Sequence, residues 1–335
     1  NNLSLINVEL VNNKNIVNYF NIYSNSFKSI NNIAKNYSTS SNYLDANNNL
    51  IIPSGIDSFI SEIVSKQFAV TNEDFNTINY LNDRKNRLTS NNLIIGSSFS
   101  LSNKSINNIY NNEFSEFKLK VELAGNLTNL TSNLLNVSKD EFGNNKVLGL
   151  TFSQFIKTET GYIKHWPIGL NSIIAFRSFF GLAIPFGNSN NIPFSKSFFA
   201  GGSNDNRAWE VYRLGPGSSE ALSEFNEANM KIAMNIEYRF KILGRIDGAL
   251  FTDIGNIWNV FDDTKDSKRK FNSLKDLDEI AIGSGIGLRY NIGYFILRLD
   301  MGLKTYNPVL ESNERWLTDF NLKKAVFNIG LNYPF

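Results

Sequence analysis

The chain contains no cysteine and a single histidine, His165. Without thiols there is no disulfide framework, no thiolate metal site and no cysteine nucleophile. One imidazole excludes a histidine triad or a multi-histidine metal site, and His165 is expected as a hydrogen-bonded side chain, not a catalyst. Charge of one sign is also missing. Lys and Arg total 33 against 31 Asp and Glu, a net of +2, which gives no basic footprint for phosphates and argues against nucleic-acid binding. No run reaches the 18 or so apolar residues that a membrane-spanning helix needs. A β-barrel in an outer membrane stays open, because its alternating strands dilute the hydropathy signal.

What is present fits a large all-β domain as well as two soluble ones: 335 residues, 42% hydrophobic and 13% aromatic, too apolar for disorder. The abundance of Asn with Lys and Ile reads as codon bias and carries no function. Asn1 is not an initiator Met, and no basic segment with an apolar run precedes Leu3. Either a targeting segment has been removed or the chain begins inside a larger protein.

Period-2 alternation dominates the second half. Ile232, Met234, Ile236, Tyr238 and Phe240 oppose Lys231, Ala233, Asn235, Glu237 and Arg239, while Phe295, Leu297, Leu299, Met301 and Leu303 oppose Ile296, Arg298, Asp300, Gly302 and Lys304. Ile282, Ile286, Leu288 and Tyr290 alternate with Gly283, Gly285, Gly287 and Arg289. Phe117, Leu119, Val121 and Leu123 face away from Lys118, Lys120 and Glu122. At the end of the chain, Ala325, Phe327, Ile329, Leu331, Tyr333 and Phe335 share one face. These are strand patterns. Soluble strands have a mode of about 5–6 residues, whereas a tilted membrane strand needs about 9–11, and these segments have the longer length. A Lys or Arg at mid-bilayer would cost roughly 2–4 kcal/mol, so Lys118, Lys120, Glu237, Arg239, Arg298 and Asp300 are assigned to a barrel lumen.

Strands are expected near 3–11, 91–102, 114–126, 151–166, 171–185, 230–241, 245–258, 279–290, 293–304 and 323–335. Short turns at 240–245, 290–293 and 167–170 alternate with long connections at 187–228, 259–279 and 305–322, the pattern of short periplasmic turns and long outer loops. The stretch 12–90 reads differently: Phe20, Tyr23, Phe27, Ile30 and Ala34 recur at helical spacing, as do Ile56, Phe59, Ile60 and Ile63, and Phe75, Ile78 and Leu81. Parity makes it a helical extracellular insertion, with a periplasmic or plug helix as the alternative.

The connection after Pro185 reads Phe198-Phe-Ala-Gly-Gly-Ser-Asn-Asp-Asn-Arg-Ala-Trp-Glu-Val-Tyr-Arg-Leu-Gly-Pro-Gly217. It resembles the lid loop of the BamA/TamA superfamily of outer-membrane assembly and translocation proteins: Phe-Ala-Gly-Gly, then Arg-Gly-aromatic, then Leu-Gly-Pro. Here Ala208 stands at the family's second Gly. Arg207-Ala208-Trp209 followed by Leu214-Gly215-Pro216-Gly217 looks like the TamA-like, TamL-type version of Bacteroidota. Asn235-Ile-Glu-Tyr-Arg-Phe240, Gly248-Ala-Leu-Phe-Thr-Asp-Ile-Gly-Asn-Ile-Trp258, Gly285-Ile-Gly-Leu-Arg-Tyr290, Leu297-Arg-Leu-Asp-Met-Gly302 and Gly330-Leu-Asn-Tyr-Pro-Phe335 extend the resemblance in order. It implies an all-β, transmembrane antiparallel barrel of sixteen strands, of which about ten are visible. With the family's lid between strands eleven and twelve, 3–11 would be strand seven. The chain would then be the C-terminal part of a longer protein, its periplasmic POTRA repeats not visible here.

The resemblance also implies that 187–228 folds into the lumen and that Arg207 pairs there with an acid. Parity favours Asp253, with Glu237 second; local pairing in a wet lumen is the alternative. Gly201, Gly202, Gly215 and Gly217 are expected to supply the bends. Function in the family is mechanical: first and last strands pair weakly and a client strand adds at the seam. In the last strand, Gly330 is a place where pairing could kink, and the terminal Phe335, with Phe327 and Tyr333 on its face, resembles the terminal signal of outer-membrane barrels. The implied setting is the outer membrane of a Gram-negative bacterium. The implied partners are outer-membrane lipid, client β-barrel or secreted proteins and a periplasmic TamB-like or other assembly protein.

No cofactor or metal is called for. Gly283-Ser-Gly-Ile-Gly lies inside a strand pattern and is not a nucleotide loop. Asp262, Asp263 and Asp266 read as a solvated outer loop and not as a calcium site. Asn126 and Asn129 match a glycosylation acceptor by chance at this Asn content. The carboxylates Glu237 and Asp253 have no nucleophile motif beside them, so no enzyme is expected. The rivals are a passive channel or receptor barrel and a two-partner secretion transporter.

Overall fold

The computed structural model describes residues 2–12, 19–106, 113–135, 137–140, 143–220 and 225–335. Its frame is one twelve-stranded sheet: β1 (Asn2–Val11), β2 (Asn92–Ile106), β3 (Phe114–Ala124), β4 (Lys146–Val147), β5 (Leu150–Phe152), β6 (Phe155–Pro167), β7 (Ser172–Pro185), β8 (Met230–Leu243), β9 (Ile246–Trp258), β10 (Ala281–Asn291), β11 (Ile296–Tyr306) and β12 (Val326–Leu331). The long strands form an antiparallel meander from β1 through β2, β3 and β6 to β12, and β5 makes a short parallel contact with the start of β2. The sheet is not closed: among the described residues β1 pairs only with β2, and β12 only with β11.

Alternation decides the two faces. Along β8, Ala233, Asn235, Glu237 and Arg239 are buried, whereas Ile236 and Tyr238 are exposed. The buried face lies under the connection between β7 and β8 and is called the inner face. Lys118, Lys120, Arg298 and Asp300 lie on it as well; Lys118 pairs with Glu116 at 3.1 Å and Arg298 with Asp300 at 3.0 Å. The opposite face is a continuous apolar surface that includes Phe99, Phe117, Tyr162, Phe180, Leu250, Ile286, Leu299 and Ile329, all exposed. Such a girdle belongs against lipid. Ile286 sits mid-strand opposite Leu250. Ile286→Arg is expected to destabilise the protein by about 2–4 kcal/mol in equilibrium unfolding from lipid vesicles; an unchanged midpoint would place this face in water.

Residues 19–89 form the helical insertion: α1 (Tyr19–Ile22), α2 (Ser24–Lys35), α3 (Ser54–Val64) and α4 (Asn72–Thr89). The apolar positions spaced for helices converge on one core, with Phe20, Ile30, Ala34, Ile56, Phe59, Ile60, Ile63, Ile78 and Leu81 buried together. Thr71 caps α4 by accepting the Asp74 backbone N–H at 3.1 Å, and Glu73 and Asp74 place negative charge at its N-terminus. Residues 13–18, where the insertion was expected to begin, lie outside the described residues.

Three details depart from the sequence reading. The strand expected over 151–166 is broken: β5 ends at Phe152 and β6 starts at Phe155, because Ser153 and Gln154 turn to bind Asn92 and Ser189. A further helix, α5 (Asn126–Leu135), follows β3 directly. The strand expected over 323–335 is β12 alone. Gly330 keeps its register opposite Arg298, and the break falls at Asn332, whose φ is +62°. Tyr333 and Phe335 therefore leave the apolar outer face and turn inward onto Arg239, whose guanidinium lies 4.1 and 5.5 Å from their rings.

Candidate functional site

The connection between β7 and β8 crosses the inner face as a doubled-back stalk. Phe198 and Ala228 exchange backbone hydrogen bonds at 2.8 and 2.9 Å, and Ala200 bridges Leu214. Nearer the tip, the Gly202 N–H donates to Trp209 O at 2.8 Å. The reversal needs positive φ at Gly201 (+96°) and Gly202 (+98°); a Cβ on Gly201 would also stand 2.2 Å from Glu210 O. On the return limb Gly215 and Gly217 also have positive φ and lie against Asn256, Ile257 and Lys268. Ala200, Ala208, Trp209 and Leu214 pack with Phe155, Ala183 and Ile257 of the sheet in one buried cluster.

At the tip, Arg207 is 1% exposed. Its Nε and Nη2 donate to Asp253 Oδ2 and Oδ1 at 2.8 and 2.9 Å, and its backbone N–H also donates to Oδ2 at 3.0 Å. Its Nη1 donates to Glu237 Oε2, and Asp300 lies 3.8 Å away. The guanidinium covers the Phe251 ring at 3.5 Å, a cation–π contact. Asn328 of β12 donates to Arg207 O at 2.9 Å. Burial opposes the guanidinium's charge, but the carboxylates of Asp253, Glu237 and Asp300 win and raise its pKa above the ordinary arginine value.

The sheet answers with a network. Arg239 pairs with Glu237 at 2.8 Å and donates to Phe335 O at 3.1 Å. Arg289 joins Glu237 at 3.1 Å to Asp300 at 2.6 Å. Arg298 donates to Ser203 O and Asn204 Oδ1 of the loop, both at 2.8 Å. Four guanidiniums thus share three carboxylates, all buried. Buried charges are stable only when paired and hydrogen-bonded, and this network ties the loop tip to the sheet.

Sequence reading offers Asp253 first and Glu237 second as the partner of Arg207, and in the structure Arg207 pairs with both. It does not foresee Arg289 and Asp300 as part of the same network, nor the seat of the tip. Gly283 and Gly302 are that seat: a Cβ on Gly283 would stand 2.5 Å from Ala208 Cβ, and one on Gly302 2.3 Å from Arg207 O. The alternating glycines of β10 were the available signal. His165 lies on the inner face beside Phe114, ring centroids 5.4 Å apart. Asp262 accepts from the Thr264 N–H, and Asp266 pairs with Arg269.

Two substitutions separate the acids. Asp253→Asn weakens the tip alone, and faster amide hydrogen exchange is expected over Arg207–Trp209. Glu237→Gln also frees Arg239, so exchange is expected to rise at 331–335 as well. Either loss has a ceiling of about 3–5 kcal/mol. Identical exchange patterns in the two variants would show that the network acts as one indivisible unit.

An open antiparallel sheet with an apolar outer girdle and a loop plugged across its charged inner face defines a transmembrane β-barrel domain. Residues 8–330 match the Omp85 superfamily domain, and the chain belongs to that superfamily. Among solved structures it is similar to BamA from Haemophilus ducreyi lacking POTRA domains 1–3, with 12% identity and a TM-score of 0.39 over 71% of this chain. The chain spans about half of that structure's length, 53%. No match was found among curated proteins.

Proposed function

We propose that the chain is the barrel portion of an outer-membrane assembly or translocation factor of the BamA/TamA kind. It inserts or exports client β-proteins through a lateral seam, without catalysis or cofactor. The observation that carries this reading is the pairing of two features: a loop locked across the inner face by Arg207, and a short strand β12 that, among the described residues, pairs with β11 alone. Unpaired edges are templates for strand addition, and a plugged interior suits a protein that works at its wall better than one that passes solute. The Arg207-Ala208-Trp209 and Leu214-Gly215-Pro216-Gly217 frame favours the TamL-type branch. A TamB-like protein is then the periplasmic partner, outer-membrane lipid surrounds the girdle, and helices α1–α4 lie on the extracellular side.

The test is reconstitution of the protein in liposomes with a urea-unfolded outer-membrane barrel as client. Client folding, followed by protease protection, is expected to be faster than in protein-free liposomes. A steady, large conductance with no effect on the client would support a passive channel. Restored secretion of one dedicated partner protein would support a two-partner transporter.

A further inference from the structure

The helical insertion does not merely sit beside the plug loop; it grips the loop at its root. Arg84 and Arg87 lie one turn apart on α4, with Arg84 on the buried side of the helix together with Ile78 and Leu81. Arg84 is 1% exposed; its Nη1 donates to Glu227 Oε2 at 2.5 Å and to Phe225 O. The rings of Tyr23, Phe194 and Phe225 surround its guanidinium at 6.0, 5.9 and 5.7 Å. Arg87 takes the other oxygen of Glu227 at 3.3 Å, and also donates to Ile192 O at 3.1 Å and Ser197 Oγ at 2.7 Å.

The partners lie on both limbs of the loop. Ile192, Phe194 and Ser197 belong to the outgoing limb, and Phe225 and Glu227 to the returning one. Immediately beyond this grip the limbs are tied by the Phe198–Ala228 hydrogen bonds, and the stalk then runs to Arg207. Glu227 is buried, and so is Arg84. Separating such a pair leaves an uncompensated buried charge on each side, so breaking this junction costs far more than breaking a solvent-exposed ion pair.

We propose that the helical insertion is a latch: by holding both limbs through Arg84, Arg87 and Glu227, it controls whether the loop tip can leave its seat. The latch is a property of this chain's own fold and goes beyond the assembly reading, since it requires no client. It gives the protein a second hold on the plug, remote from Arg207, through which an event at the helices is felt at the inner face.

The test uses the protein in lipid nanodiscs and amide hydrogen exchange. Glu227→Gln is expected to raise exchange over 198–214 by about tenfold or more, with β8 and β9 unchanged. In that background Arg87→Cys with Ser197→Cys, bridged by a short bis-maleimide, is expected to return exchange to the native level; the cysteine-free chain makes the labelling specific. Unchanged loop exchange in Glu227→Gln, or exchange that stays fast after bridging, would overturn the latch. Should Glu227→Gln not fold, Arg87→Ala, on a partly exposed side chain, carries the same test. A smaller rise confined to the loop supports the latch, and no rise overturns it.

Discussion

Arg207→Ala is expected to convert a quiet barrel into a conducting one. In planar bilayers the variant should pass frequent, large current steps at voltages where the native protein stays closed. The substitution removes the bidentate bond to Asp253, the bond to Glu237 and the stack on Phe251 together. Its cost falls at the lower end of the range for breaking a buried pair, about 3 kcal/mol. Asn235 still donates to Asp253, and Arg239 and Arg289 still neutralise Glu237. A shift of that size multiplies the population of the displaced loop by about a hundred. Arg207→Lys keeps the charge and loses the planar fork and the stack, so it should fall between the two. Native-like closure of Arg207→Ala would mean that the loop is held by its packing and its root, and that the ion network is incidental to closure.

Gly302→Val asks the complementary question, with every charge left in place. The new Cβ would stand 2.3 Å from Arg207 O and 2.8 Å from Ala208 N. Those are backbone atoms of the tip, which no side-chain rotation can move aside. The tip must rise from the sheet, and the Arg207 fork then loses its alignment on Asp253. Conductance as high as that of Arg207→Ala is expected. Gly161→Ala is the control, because its Cβ would meet nothing closer than 3.9 Å, and it should behave as the native protein. A closed Gly302→Val would show that the tip tolerates displacement and that the seat is not close-fitting. The same geometry accounts for Ala208: its methyl occupies the space left by Gly283, so the two positions share one side chain between them.

These contrasts also mark how far the sequence reaches. The nine strands of ten or more residues are legible because a two-residue period repeated over that length is hard to mistake for a helix. The helices of 19–89 are legible for the same reason at the other period. Elements too short to show a period are not: β4 and β5 have two and three residues, and α5 follows β3 without a break in polarity. The end of β12 misleads in a more instructive way. Alternation runs on through Tyr333 and Phe335, but Asn332 takes a left-handed conformation that an alternating pattern cannot reveal. Of the site, Arg207, Asp253 and Glu237 are readable from motif and parity. Arg84 and Glu227, 143 residues apart, are not, since no local pattern records a contact between two distant surfaces.

The brevity of β12 has a consequence for the surrounding lipid. Its six residues at about 3.4 Å each reach roughly 20 Å along the strand, and less along the bilayer normal once tilted. The apolar band of an outer-membrane barrel is about 25 Å tall. Beside this edge, acyl chains face a wall shorter than themselves, and hydrophobic mismatch is relieved by local thinning of the bilayer. The membrane should therefore be thinnest, and easiest to perturb, at the one flank of the sheet where strand β12 ends the pairing.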